Sequence, residues 1–408
     1  MTESKTYWLI NQYASTPETG IGGRHYYLAK ELANQGHTVY LIAAGYTHLL
    51  RTPPVLDKKY LIEPVTGGFN FVWVTTPHYS GAHDKARVLN WFIFAWKLLK
   101  LPQIIEDKPD AILYSSPSLV GFLGAQRLAK KLKCKIVFEV RDIWPLTLIQ
   151  LGGYSPKHVF IRFLQWVEDR AYHDSDVIFS NLPNAVEHMV MRGMAREKFQ
   201  WIPNGFDLSE LENPEPLAVT TQLALPKGKF IIGYTGTLGL ANALDSFIEA
   251  ARLLKDEVEM AFVLVGGGKE KSTLVEQAEG LNNVYFVDPI PKQQIQSMLA
   301  EFDVCYIGWK NEPIYRFGIA PNKVPEYMLA EKPIIHAYSG EYDSVEMAKA
   351  GLSVPAEDPQ AVADAILKLR CMLYQDCQQM GQNGRFYALE HHDYSKLSVK
   401  LAEALSLN

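Results

Sequence analysis

Lys323 and Glu326 stand three residues apart in the stretch APNKVPEYML, just ahead of an apolar run. Residues at i and i+3 share a helix face, so an ammonium and a carboxylate point the same way. Pro325 fits only the first turn of a helix, which sets the helix start near Asn322 to Val324. An ammonium suits a diphosphate, and a carboxylate, which only accepts hydrogen bonds, suits two adjacent ribose hydroxyls. Taken by itself the pair reads more readily as an ion pair beside a capped helix end.

Three other stretches carry residue types with chemical use. In TGIGGRHYYLAKEL, Gly20, Gly22 and Gly23 separate a strand from a helix, and Arg24 opens the helix. Bare backbone N–H groups there can approach a phosphate, and a cation at a helix start is disfavoured without an anion beside it. The stretch lacks the G-x-G-x-x-G spacing, and no acidic residue ends the following strand to hold a ribose, which argues against a dehydrogenase. In VLVGGGKEK, Gly266, Gly267 and Gly268 end a strand and open a helix, a tight turn or a nucleotide-facing one. In FEVRDIWP, Arg141 and Asp142 follow a buried strand that also carries Glu139. Charge there must be paired or used, so a local ion pair competes with acid–base, acceptor-orienting or phosphate-facing work. The D-x-D of HDSDV, Asp174 and Asp176, sits at a helix-to-strand junction where capping and solvation explain it, so no metal is expected.

The elements that must position these residues repeat twice. Short apolar strands such as TYWLINQY, HTVYLIAA, FNFVWVTT, AILYSSP, KIVFEVRD and DVIFSN alternate with amphipathic helices. The rhythm pauses at the proline-rich, acidic stretch from Ile202 to Lys229, read as a connection between domains, then resumes with FIIGYTG, MAFVLVGGG, VYFVDPI, DVCYIGW, PIIHAY and GLSVP. Strands buried on both faces and separated by helices predict α/β architecture with parallel doubly wound sheets. The chain of 408 residues is too long for one core. The expected division is an N-terminal Rossmann-like domain at 1–205, a C-terminal one at 206–385, and a helix at 386–408 crossing back to the first domain. Two such domains facing a cleft would place ligands beyond the carboxyl ends of the strands. A formal net charge of −5 excludes general nucleic-acid binding. Four cysteines without a C-x-x-C pair or histidine cluster predict free thiols. The N-terminal segment lacks a signal-peptide pattern and no stretch is apolar enough to span a membrane, which predicts a cytoplasmic protein.

Together and in this order, these pieces resemble glycosyltransferase family 4, the retaining nucleotide-sugar transferases of the GT-B fold. The resemblance covers essentially the whole chain and rests on the glycine loop and its helix, VRDIWP, IPNGFD, GYTGTLGLANALDSFIEAA, LVGGG and APNKVPEYMLAEKPII. Within the family it is nearest to transferases of bacterial O-antigen and capsule, including those resembling N-acetyl-fucosamine transferases. The resemblance implies a hexosyl- or N-acetylhexosaminyl-transferase that needs no cofactor or metal. Its implied partners are a nucleotide-diphosphate sugar, UDP foremost, and a polyprenyl-linked or saccharide acceptor. It gives Glu326 the ribose, Gly22 and Gly23 the donor phosphates, Gly266 to Gly268 a nucleotide-binding turn, and Ile290 the base through its backbone. Two departures matter. Many members carry a sugar-facing glutamate where Gly318 stands, and an arginine and a lysine in the loop opened by Gly236, where Thr237 and Asn242 stand. Charge balance then assigns the diphosphate to Lys323, with Arg316, Lys310 or Arg24 as helpers and Asn322 alongside. Arg141 and Asp142 join Lys323 as the catalytic candidates.

One stretch, HDKARVLNWFIFAWKLLKLP, interleaves aromatic and basic residues: Lys85, Arg87, Trp91, Trp96, Lys97 and Lys100. It is either an interfacial helix on the anionic inner face of a membrane or an amphipathic helix packed on its own sheet. A lipid-linked acceptor would make the first useful, with the protein peripheral on the inner membrane. Two other functions fit the fold class: a nucleotide-sugar 2-epimerase, expected to carry more carboxylates and histidines in its loops, and a non-catalytic carbohydrate-binding protein, which the blank at Gly318 would suit.

Overall fold

The computed structural model describes residues 3–81 and 84–406, so His83 of the aromatic–basic stretch and the last two residues of the terminal helix lie outside it. The chain forms two compact units, one of Met1–Asn204 with Tyr394–Asn408, the other of Gly205–Asp393.

The first unit is built on strands β1 (Thr6–Ile10), β2 (Thr38–Ala44), β3 (Tyr60–Pro64), β4 (Asn70–Val74), β5 (Ala111–Ser115), β6 (Lys135–Val140), β7 (Val177–Ser180) and β8 (Phe199–Trp201). They form one sheet in the order β3-β4-β2-β1-β5-β6-β7-β8. Only β3 runs antiparallel, paired to β4 with Tyr60 opposite Val74 and Pro64 opposite Asn70. Its helices are α1 (Arg24–Asn34), α2 (Ala86–Leu98), α3 (Val120–Leu132), α4 (Leu146–Gln150), α5 (Val159–Asp174) and α6 (Ala185–Met191), joined by Tyr394–Ser406. That last helix lies on α1, where Tyr27 and Tyr394 stack with centroids 5.4 Å apart and Gln35 Nε2 donates to Ser398 Oγ at 2.7 Å.

The second unit holds β9 (Phe230–Thr235), β10 (Met260–Val265), β11 (Val284–Val287), β12 (Val304–Gly308), β13 (Ile334–Ala337) and β14 (Gly351–Val354). All run parallel, in the order β11-β10-β9-β12-β13-β14. Strands β10 and β12 are buried along their whole length, as their unbroken apolar runs require. The expected connection beyond Ile202 is in part a packed element. It forms two short helices, Leu208–Leu211 and Val219–Ala224, and its Leu211, Leu217 and Leu225 are buried in the core of the second unit.

Strand order reverses between β1 and β5 in the first sheet and between β9 and β12 in the second. Crevices at such reversals lie beyond the carboxyl ends of the strands. The loops after β1, β5 and β6, and after β9, β10 and β12, are therefore where each unit can hold a ligand.

Candidate active site

In the second unit the site is built from a strand end and a helix start. Tyr327, fully buried, ties the helix Lys323–Leu329 to the end of β9: the Thr235 N–H donates to its hydroxyl at 2.8 Å, and that hydroxyl donates to the Thr235 carbonyl at 3.1 Å. The anchor lays Lys323, at the first position of the helix, over Gly236. Lys323 Nζ donates to Asn242 Oδ1 at 3.1 Å and stands 5.2 Å from the centre of the Tyr234 ring. Asn242 is held for this contact, since its Nδ2 donates to the Thr237 carbonyl at 3.0 Å, which also accepts from the Tyr234 hydroxyl at 2.7 Å.

Close backbone approach explains the glycines nearby. A side chain on Gly266 would run into the Gly236 carbonyl, and one on Gly268 into that of Leu238. These glycines thus have a packing reason that holds with or without a nucleotide. Gly267 lies between them with its Cα side toward Pro289. Ile290 packs partly against the core, and among the described residues none takes its backbone N–H or carbonyl in a hydrogen bond.

The pair that opened the sequence reading does not close on itself: Lys323 and Glu326 form no ion pair. Burial depresses the Lys323 ammonium to about 8, against the opposing pull of Glu326. Burial raises the Glu326 carboxyl above its usual value, while Lys292 and Lys323 counter it. The result is a half-buried cation and a half-buried carboxylate, each without a charged partner in contact.

The helper cations stand differently. Lys310 is bound on both sides, to Asp245 Oδ2 and Glu357 Oε1, each at 2.9 Å. Its charge is already balanced, so the expected helper role is corrected. Arg316 is exposed, donates to the Pro313 carbonyl at 2.7 Å and lies over the Phe317 ring at 4.3 Å. Gly318 follows at φ 92, a conformation that a glutamate there would adopt only with strain. Thr237 and Asn322 are exposed. A support absent from the sequence reading holds this loop. Trp309 Nε1 donates to His336 Nε2 at 3.0 Å, and His336 Nδ1 donates to Asp343 Oδ1 at 2.9 Å, which fixes a neutral imidazole. Next to it the Tyr338 hydroxyl donates to the Tyr315 carbonyl at 2.8 Å.

In the first unit Gly22 and Gly23 both have positive φ and lead into α1. The backbone N–H of Gly22 donates to Ser15 Oγ at 3.2 Å. Arg24 does not wait for a ligand anion. Its Nε donates to Glu139 Oε1 at 2.7 Å, with both side chains buried, and its other nitrogens donate to the carbonyls of Ile202 and Pro203. The anion that a cation at this helix start needs is Glu139, which corrects the expected role for Arg24. Glu139 Oε2 also accepts from His25 Nε2 at 2.5 Å and from Ser115 Oγ at 2.6 Å. Burial alone would raise the Glu139 carboxyl, but His25, Arg24 and Arg141 outweigh it and hold it well below the usual carboxylate range. Burial pulls the His25 imidazole below its usual value, against the opposing pull of Glu139, and Asn11 Nδ2 donates to its Nδ1 at 3.0 Å.

With Glu139 taken, Arg141 and Asp142 are left at the strand end. The Arg141 backbone N–H donates to Ser116 Oγ at 2.8 Å, yet its buried Nε has no hydrogen-bond partner. Asp142 is exposed. The D-x-D carboxylates are engaged locally: Asp176 Oδ2 accepts from the Ile136 N–H at 2.8 Å, and Asp174 meets Arg170 at 3.5 Å.

Helix α2 divides the basic–aromatic set. Trp91 is 3% exposed, and its Nε1 donates to the Tyr13 hydroxyl at 2.8 Å. Arg87 Nε donates to the same hydroxyl at 2.9 Å, and Lys97 Nζ donates to the Thr75 carbonyl at 2.6 Å. These three point into the protein, which corrects their expected place on an outward face. Lys85, Trp96 and Lys100 are exposed.

With this geometry in hand, relatives can be compared. The sequence profile described as Glycosyltransferase Family 4 matches residues 19–210, and that described as Glycosyl transferases group 1 matches residues 229–371. The chain belongs to glycosyltransferase family 4. It is 27% identical over 310 residues to WcaI of Escherichia coli (strain K12), named for glycosyl transfer in colanic acid biosynthesis, covering 72% of this chain and 74% of that protein. It is 24% identical over 297 residues to the glycosyltransferase WbjE of Pseudomonas aeruginosa, covering 69% and 70%. The fold is that of the GT-B enzymes. Sucrose-phosphate synthase from Thermosynechococcus elongatus superposes with a TM-score of 0.72 at 16% identity, covering 98% of each chain. Anabaena HepE in complex with UDP superposes at 0.68 and 16% identity, covering 98% of this chain and 99% of that one. The family 4 protein described here is thus a glycosyltransferase.

Proposed function

We propose that this transferase moves a hexose or N-acetylhexosamine from a UDP-sugar to a polyprenyl-linked or saccharide acceptor, with retention of anomeric configuration, in the synthesis of a bacterial surface polysaccharide. The observation that carries the reading is Lys323, a half-buried ammonium without a carboxylate partner, placed on Asn242 at the mouth of the glycine turns. A cation so placed lacks its counter-charge until an anion arrives. The Glu326 carboxylate, one helical turn on, has acceptor oxygens to spare for ribose hydroxyls. Structures of the same fold with UDP or UDP-glucose bound support the choice of base and donor for this chain.

Retaining transfer without a metal asks the protein mainly for electrostatics. The diphosphate leaves as the acceptor hydroxyl approaches from the same face, and a leaving oxygen takes the hydroxyl proton. Lys323 stabilises the charge that develops on the departing diphosphate. Gly318 leaves the sugar-facing side without the glutamate common in the family, so the donor sugar is held by backbone and by the loop that Trp309, His336 and Asp343 brace. Arg141 and Asp142, in the first unit, are assigned to the acceptor.

The test is UDP release from UDP-glucose and UDP-N-acetylglucosamine in the presence of saccharide and polyprenyl-linked acceptors, with the product anomer read by NMR. Release with retention is expected. Inversion, or binding of nucleotide sugars with no turnover on any acceptor, would overturn the reading.

A further inference from the structure

The helix that pushes Trp91 inward leaves another face bare. Along α2 and its two flanks, Lys85, Leu89, Phe92, Trp96 and Lys100 recur at spacings of four, three, four and four. At 3.6 residues per turn they fall on one stripe about 80° wide. Leu89 is 59% exposed, Phe92 44% and Trp96 62%. The stripe does not end at α2. The Phe92 and Phe163 rings stack with centroids 5.9 Å apart, and Phe163 stacks on Trp166 at 6.1 Å. Trp96 and Trp166 are both of the largely exposed tryptophans among the described residues, and both lie on these two helices.

The charge around this ledge is one-sided. Lys85 and Lys100 close the α2 stripe at its two ends, and Lys157 and Arg162 flank the start of α5; all four are exposed. The Arg170 guanidinium covers the Trp166 ring at 5.7 Å. Residues 151–167 contain no acid, and residues 84–100 contain one, Asp84; further along α5, Glu168 is buried, and Asp169 and Asp174 pair with Arg192 and Arg170. Asp84 is occupied locally by the backbone N–H groups of Ser80 and Ala86. The whole chain carries a formal charge of −5, so this excess of cations runs against its composition.

We propose that the Leu89–Phe92–Trp96 face of α2, continued by Phe163 and Trp166 of α5, lies flat on an anionic lipid bilayer. Apolar and indole groups enter the headgroup boundary, while the lysines at either end of the stripe meet lipid phosphates. The mode is surface-lying, since no helix of the described residues is long and apolar enough to cross a membrane. The opposite side of α2 gives the contact a consequence. Arg87 and Trp91 hold the Tyr13 hydroxyl, and Tyr13 lies in the glycine loop between β1 and α1. Docking therefore seats the same loop that the proposed reaction uses beside a lipid-linked acceptor; this purpose rests on the proposed function, whereas lipid binding itself does not.

The experiment is co-sedimentation of the full chain with vesicles of mixed phosphatidylglycerol and phosphatidylcholine, and with phosphatidylcholine alone. The variants are Phe92→Ser with Trp96→Ser, Lys85→Glu with Lys100→Glu, and Phe386→Ser as an exposed control outside the ledge. The wild type and the control should partition onto the mixed vesicles. Each double variant should lose roughly an order of magnitude or more of that partitioning and keep the wild-type Tm and turnover of a water-soluble acceptor. Absence of wild-type binding, or unchanged binding of the aromatic double variant, would overturn the proposal. So would a wild-type dimer that dissolves in the aromatic variant while no vesicle is bound, since the ledge would then be a self-association face. A chain that binds vesicles but transfers no sugar would sink the proposed function and leave the surface standing; a transferase indifferent to vesicles would do the reverse.

Discussion

Lys323 Nζ rests 3.1 Å from Asn242 Oδ1, across 81 residues of sequence. Asn242 occupies a position where many family members carry a cation, and Lys323 brings an ammonium to it from a different element. On the proposed reading, a diphosphate-facing charge that the family commonly places in the loop after β9 comes here from the helix before β13.

That relocation is reversible by design. Lys323→Ala should lower kcat/KM for the donor by about a hundredfold, the scale of one lost charge-stabilising contact. Adding Asn242→Lys to that variant should return at least part of the loss, because the ammonium would again reach the same glycine turns. Steady-state kinetics on the two variants check this. A double variant no better than the single one would mean that charge at this point is not what matters.

The depressed Lys323 gives a pH signature. Its cation is present below about pH 8 and is lost as pH rises through that value. The kcat/KM for donor should therefore fall on an alkaline limb near pH 8, measured on the free enzyme at low donor concentration. A profile flat to about pH 9.5 would contradict it, since an unperturbed lysine titrates near 10.4.

The first unit should depend on a buried charge pair. Arg24→Ala leaves Glu139 buried without its main cation, which costs about 3–5 kcal/mol, readable by urea denaturation. Glu139 also sets an acid limb. Its folded pKa lies below its unfolded one, so the unfolded chain binds the proton first as pH falls. Its stabilisation is complete above the ordinary carboxylate range and is lost as pH drops toward the folded value. Glu139→Gln should flatten that limb along with lowering stability; a variant with the same acid slope as wild type would show that the pair does not titrate with folding.

Much of this is readable in the sequence where burial is two-sided. Unbroken apolar runs such as MAFVLV mark central parallel strands, and the loops after them bear Gly266, Arg141 and Asp142. The edges are less readable. Strand β3, YLIEP, is only half-buried and ends in proline, and β8 has three residues, too few for a period to show. In α2 apolar residues occur around most of the helix, so composition reveals an unusual helix but not which tryptophan faces in. Trp91 and Trp96 are five positions apart, roughly 140° around the axis, and only packing tells them apart. The Lys323–Asn242 contact joins two elements by the register of the sheet between them, which no local pattern encodes. Arg24 reads as a ligand-seeking cation because its partner, Glu139, lies 115 residues away.

The most direct test is calorimetric titration of UDP into the wild type and into Lys323→Ala. Lys323 is half-buried, so a Tm comparison checks that the variant is folded. Loss of one charge-assisted phosphate contact should weaken UDP by about tenfold to a hundredfold. Equal affinity in the two proteins would contradict the claim that Lys323 carries the diphosphate.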